Sequence, residues 1–283
     1  MTPEISEFSY GFALTNELVG LAPLKAAPIF PSLIEEGKKG GGYDVKLQMP
    51  CLALYLQFKR AHCMTRPNAK EIKQYKIAIQ RPFYRFHIME ASASNQHSML
   101  LELDNGAAEV FYAAPRFHLV EEINSAWATN QVGTQSIFVR PRHIGALVPG
   151  PHHVAYDKIS AYVCSEPKKV TTLSFVDLAN TLNQRLAEES LSLADRLPAL
   201  MSEADAAYRR GMSRMAASAT TDRQRSLFAD FVRGEQFPPR PIDRRLAMRT
   251  TRTLDGARQM LRDLADKAAT RFGAQLIIVQ KND

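Results

Sequence analysis

With 283 residues, 45% of them hydrophobic, the chain is long enough for one large soluble domain or two smaller ones. No run of about 18 apolar residues is present, which excludes a helical membrane span, and Cys51, Cys63 and Cys164 are too scattered for a disulfide framework or a zinc pattern. The net charge is +7, and its source is narrow: fifteen Lys and Arg against eight Asp and Glu lie between Asp205 and Arg271, all but one of those cations being arginine.

Arginine forks match phosphate oxygens. The segment therefore reads either as a nucleic-acid-facing surface or as a solvated helical face rich in arginine. The first residues, MTPEISEFSYGF, lack the basic start and apolar core of a signal peptide. With the cysteine usage, this predicts a reduced, cytoplasmic setting and no membrane partner.

In chain order, residues 7 to 20 predict a helix with Phe8, Phe12, Leu14, Leu18 and Val19 clustered on one side. Residues 29 to 34 suit a short strand weakened by Pro31, and 38 to 42 a turn. Tyr43 to Met49 alternates as a strand, and Leu52 to Phe58 is a continuous apolar strand, central in its sheet. The polar stretch from Cys63 to Ile77 carries no clear period. A helix is predicted over 94 to 103, a strand over 109 to 114, a short helix over 121 to 127, and further strands at 137 to 139 and 154 to 164. From Ser174, an N-cap with Asp177 as its partner, the pattern is helical. A second amphipathic helix runs from Thr253 to Phe272 and ends at Gly273, and QLIIVQ (275 to 280) reads as a last strand. The change of character near 170 divides the chain into an α/β domain, 1–170, and a helical, arginine-rich domain, 171–283.

The candidate chemistry lies in GGGYDVKLQMPCLALYLQFKR, residues 40 to 60. Gln57 and Lys59 stand two apart on a strand, so both project to one face. A tight hairpin between 43–49 and 52–58 would set Asp44 beside them. Taken singly, an Asp after glycines also suits a turn, and Gln-x-Lys also suits a solvated strand edge. Glu35 and Glu36 are rival carboxylates in the preceding loop.

The order helix, strand, strand, strand, helix, strand, with an acid opening the second strand and Gln-x-Lys on the third, resembles the PD-(D/E)xK (restriction-endonuclease-like) nuclease superfamily in a QxK variant. The resemblance covers about residues 7 to 115. It implies an α/β fold with an αβββαβ core, followed by a mainly α-helical C-terminal region. It also implies a Mg2+ or Mn2+ ion held by Asp44, by the Gln57 amide oxygen and by Glu17 of the first helix, with Lys59 orienting water or neutralising the transition state. Gln57 stands where an acid is more usual, and Tyr43 where proline is.

Candidate nucleic-acid contacts are Arg81 and Arg85, interleaved with aromatics in RPFYRFHI, and Gln96 and His97 at the start of the second core helix. The first pair also fits an exposed strand with Phe83 and Phe86 in the core, and the second a capped helix start. His152 and His153 are adjacent on a strand and point to opposite faces, which argues against a joint metal site. The implied function is a metal-dependent nuclease acting on DNA ahead of RNA, similar in style to bacterial antiphage-defence or mobile-element proteins, with the helical region gripping the backbone or docking a protein partner. The alternative is a nuclease-fold protein without catalysis, a nucleic-acid-binding or scaffold subunit in which Gln57 marks a lost site.

Overall fold

A computed structural model describes residues 1–20, 24–29, 45–89, 94–148, 150–218 and 253–281. The fold is mixed α/β with two sheets. The continuous apolar segment Leu52–Phe58 forms β2, buried on both faces except at its last residue. Two neighbours account for this. On one side Glu109–Pro115 (β5) pairs with it in parallel; on the other Gln275–Lys281 (β11) pairs antiparallel. Leu24–Ile29 (β1) adds to β11, and Ser136–Val139 (β6) and Thr172–Leu173 (β10) extend the far side. The order is β1-β11-β2-β5-β6-β10.

The parallel pair requires a crossover. It contains His62–Met64 (β3), the short helix Lys70–Lys73 (α2), Phe83–Ile88 (β4) and the helix Gln96–Leu103 (α3). β3 and β4 join His152–Tyr156 (β7), Ala161–Val163 (β8) and Lys168–Lys169 (β9) in a second, antiparallel sheet of order β3-β4-β7-β8-β9.

Alternation along the strands builds two cores. Leu52, Leu54 and Leu56 face one, together with Glu7–Val19 (α1), Val120–Ala128 (α4) and Phe175–Glu188 (α6). Ala53 and Tyr55 face the other, with α3, the inner face of the second sheet, Leu193–Ser218 (α7) and Leu254–Phe272 (α8). A four-residue helix, Pro141–Ile144 (α5), completes the set. Residues from both sides of position 170 thus share one sheet and one core. No helix of the described residues is long and apolar enough to cross a membrane.

Local chemistry explains most element ends. Ser174 and Asp177 form the reciprocal cap of α6. Thr253 accepts from the Gly256 N–H at the start of α8, and Gly273 ends it with φ 57° in the left-handed region.

The strand expected over 29 to 34 falls, from residue 30 on, outside the described residues; the described strand β1 is Leu24–Ile29. Two other expectations differ from the structure. Val45 to Met49 turns instead of extending, so the hairpin expected beside β2 is not formed; β11 occupies that slot. The reason is composition. Leu-Ile-Ile-Val can be buried on both faces, whereas 45–49 carries Lys46 and Gln48. Gln280 of β11 fixes the turn from both sides, accepting from the Lys46 N–H at 3.0 Å and donating to the Lys46 carbonyl at 2.8 Å. Finally, α1 buries Tyr10, Ala13, Leu14 and Leu18, while Phe8, Phe12 and Val19 form a separate exposed stripe.

Candidate functional site

The carboxyl ends of β2 and β5 lie at one edge of the first sheet, the place where open α/β sheets hold ligands. Gln57 and Lys59 follow Ala53 and Tyr55 onto the face covered by α3. Both are buried, at 4% and 8% exposure. The Lys59 backbone N–H continues the ladder to the Ala113 carbonyl at 2.9 Å. Its ammonium lies 5.6 Å from the centroid of the Tyr112 ring. Among the described residues no carboxylate and no hydrogen bond holds that ammonium. Burial pulls Lys59 below the ordinary lysine range, opposed by the charge of Glu7 at the start of α1.

α3 brings Gln96 and His97 to the same place. His97 Nε2 is 2.8 Å from the Gly145 carbonyl, and Nδ1 is 2.8 Å from the Tyr112 hydroxyl. A carbonyl only accepts, so Nε2 carries the proton and Nδ1 accepts from the tyrosine. Burial, with His152 and Lys59 nearby, lowers the His97 pKa to about 4, against the raising effect of the Gly145 carbonyl. His97 is therefore a neutral, fixed imidazole at pH 7. Burial also raises the Tyr112 pKa, which keeps its proton in place.

Gly273 closes the floor. A Cβ there would collide with the Gln96 amide and stand 3.5 Å from Gln57 Nε2, so glycine serves both the left-handed cap and the close approach. The Gln57 Oε1 atom is buried without a hydrogen-bond partner. An orphaned acceptor of this kind normally costs about 1–3 kcal/mol.

The other expected residues lie elsewhere. Asp44, Glu35 and Glu36 fall outside the described residues. Glu17 sits on the opposite face of the sheet. Its two oxygens accept from the N–H groups of Val132 and Gly133, both at 2.7 Å, so it fastens α1 to the loop before β6 and does not join Lys59. Arg85 projects from the outer face of the second sheet and pairs with the buried carboxylate of Glu71. Arg81 is exposed ahead of β4, with one long contact of 3.4 Å to the Thr65 carbonyl. Of the arginine-rich segment, Arg210 and Arg214 pair with Glu102, and Arg271 pairs with Asp205. These cations tie α3, α7 and α8 together. Residues 219 to 252 are outside the described set.

A magnesium or manganese site requires hard oxygen ligands, carboxylates among them. The cluster offers one amide oxygen beside an ammonium. Nowhere among the described residues do three His, Cys, Asp or Glu side chains converge for a metal. The described residues alone do not fit a divalent cation. The Lys59 ammonium and the amide N–H groups of Gln57 and Gln96 are the donors an anion could use; the His97 ring nitrogens are already engaged by Gly145 and Tyr112.

Tyr112 was not singled out by the sequence pattern. The available signal was a hydroxyl-bearing ring inside an otherwise apolar strand, which when buried finds a polar partner. Comparison of the chain with family models, curated proteins and solved structures returned no match.

Proposed function

We propose that this chain is a metal-dependent nuclease of PD-(D/E)xK type that acts on nucleic-acid phosphodiesters, DNA ahead of RNA, at the edge formed by β2 and β5. One observation supports the reading above others. Lys59 is buried near Tyr112 and His97, and among the described residues no ion pair holds its ammonium, the charge of Glu7 only partly offsetting its burial. A desolvated ammonium is costly to keep, and such groups cluster at functional sites. A phosphate oxygen is the natural counter-charge. Lys59 would donate to it; the Gln57 and Gln96 amides would orient it; His97, neutral and held at both ring nitrogens, would keep the floor of the site rigid. The ion itself would depend on Asp44.

The test is plasmid DNA incubated with Mg2+ or Mn2+. Wild type is expected to nick it, Lys59→Ala to fall by about a hundred-fold or more, and Asp44→Asn to fall likewise. If Lys59→Ala cuts as well as wild type, the site assignment is wrong. A second reading, binding without hydrolysis, is favoured by the carboxylate-free cluster. It predicts no nicking under either ion, with DNA binding that is still weakened by Lys59→Ala.

A further inference from the structure

α1 presents its second apolar stripe to solvent. Phe8 is 81% exposed and Phe12 54%, and Phe12 meets the ring of the half-exposed Trp127 edge to face at 5.5 Å. The stripe lines a cavity of about 570 Å3 between α1, the end of β2 and the C-terminal end of α8. Its size falls in the range of small-molecule sites. Phe8, Phe12 and Phe58 supply aromatic rings to its lining; Thr15, Asn16 and Gln275 supply polar groups. Gly11 lets α1 approach closely, since a Cβ there would stand 2.6 Å from the Phe58 ring.

The cavity adjoins the Lys59 site in three ways. Phe58 in its wall precedes Lys59 in the chain. Gly273, also in its wall, lies against the Gln57 and Gln96 amides. Glu7, next to Phe8, is the charge that acts on the Lys59 ammonium. Arg60 is exposed at the same strand end. Aromatic rings with polar edges on one side and the cations Lys59 and Arg60 on the other match a flat heterocycle joined to a phosphate. A hydrocarbon chain or an apolar peptide would leave the cations unused.

We infer that this cavity takes an unpaired nucleobase whose backbone phosphate lies at Lys59. The inference rests on the nucleic-acid reading above and narrows the substrate to single-stranded or locally opened strands. Stacking on protein aromatics is tolerant of base identity, so little sequence preference is expected.

The experiment uses single-stranded oligonucleotides carrying 2-aminopurine, without divalent ions, and the full-length protein. Wild type is expected to quench the fluorophore. The double variant Phe8→Ala, Phe12→Ala is expected to lose the quench and bind about ten-fold more weakly or worse. Both rings are largely exposed, and unchanged thermal unfolding would exclude a folding defect. Quench and affinity unchanged in the double variant would overturn the inference. A wild type that cuts plasmid yet never quenches would overturn it alone, whereas a wild type that neither binds nor cuts would overturn the nuclease reading with it.

Discussion

Lys59, His97 and Tyr112 form a unit in which each group sets the state of the next. The carbonyl of Gly145 fixes the His97 tautomer, His97 fixes the Tyr112 proton, and the Tyr112 ring lies beside the Lys59 ammonium. The sign of the pH dependence follows from burial. The folded state holds His97 with a pKa of about 4 against an ordinary 6.5, so the unfolded chain binds the extra proton between those values. The stability contribution is full above pH 6.5 and drains away as pH falls toward 4. Urea unfolding at pH 7 and pH 5 should show wild type losing on the order of 2 kcal/mol through this group, and His97→Gln losing less by that amount. Equal pH dependence in the two proteins would mean that the imidazole is not held neutral.

Among the elements, α1 shows where sequence reading succeeds and where it stops. Its bounds follow from Ser6 as cap and from the apolar spacing. The spacing contains two stripes, and the larger side chains, Phe8 and Phe12, belong to the one that stays outside. Hydrophobic period alone does not rank two stripes; packing against β2 does. Glu17 is a similar case. An acid on the first helix matched a metal ligand in pattern, but its oxygens complete the backbone bonding of residues 132 and 133. Glu17→Gln replaces one acceptor with a donor that faces an N–H. It should cost about 1–3 kcal/mol in stability while leaving nicking per folded molecule unchanged. A large loss of cleavage at unchanged stability would return Glu17 to the catalytic site. β2, α3 and β5 were legible almost to the residue because their signals are local: a continuous apolar run for β2, the turn residues Asp104-Asn105-Gly106 after α3, and Pro115 at the end of β5.

At the scale of the whole molecule, the order of strands was not legible. Nothing in the sequence near position 50 says that its antiparallel neighbour comes from position 275. The pairing of β11 between β1 and β2 is a long-range outcome, decided by which apolar strand can be buried on both faces. It joins the last segment of the chain to the first half. Removing residues 274 to 283 would strip both neighbours of their ladder and uncover the sides that Leu276, Ile277, Ile278 and Val279 now bury. Neither that truncation nor a 1–170 fragment should give a cooperative melt, as followed by near-ultraviolet circular dichroism. A 1–170 fragment that unfolds cooperatively would show that the first half is a domain in its own right. The charge of the molecule is likewise redistributed by folding: Arg210, Arg214 and Arg271 are engaged by Glu102 and Asp205 and so serve the packing of α3, α7 and α8.

The charge of Lys59 can be measured directly. Lys59 Nζ, followed by nuclear magnetic resonance in protein labelled at its lysine side chains, should titrate below 10.5 in the free protein and shift upward when a short single-stranded oligonucleotide is added, because a phosphate oxygen stabilises the ammonium. A Lys59 signal that neither starts low nor moves on saturation with the oligonucleotide would contradict the account.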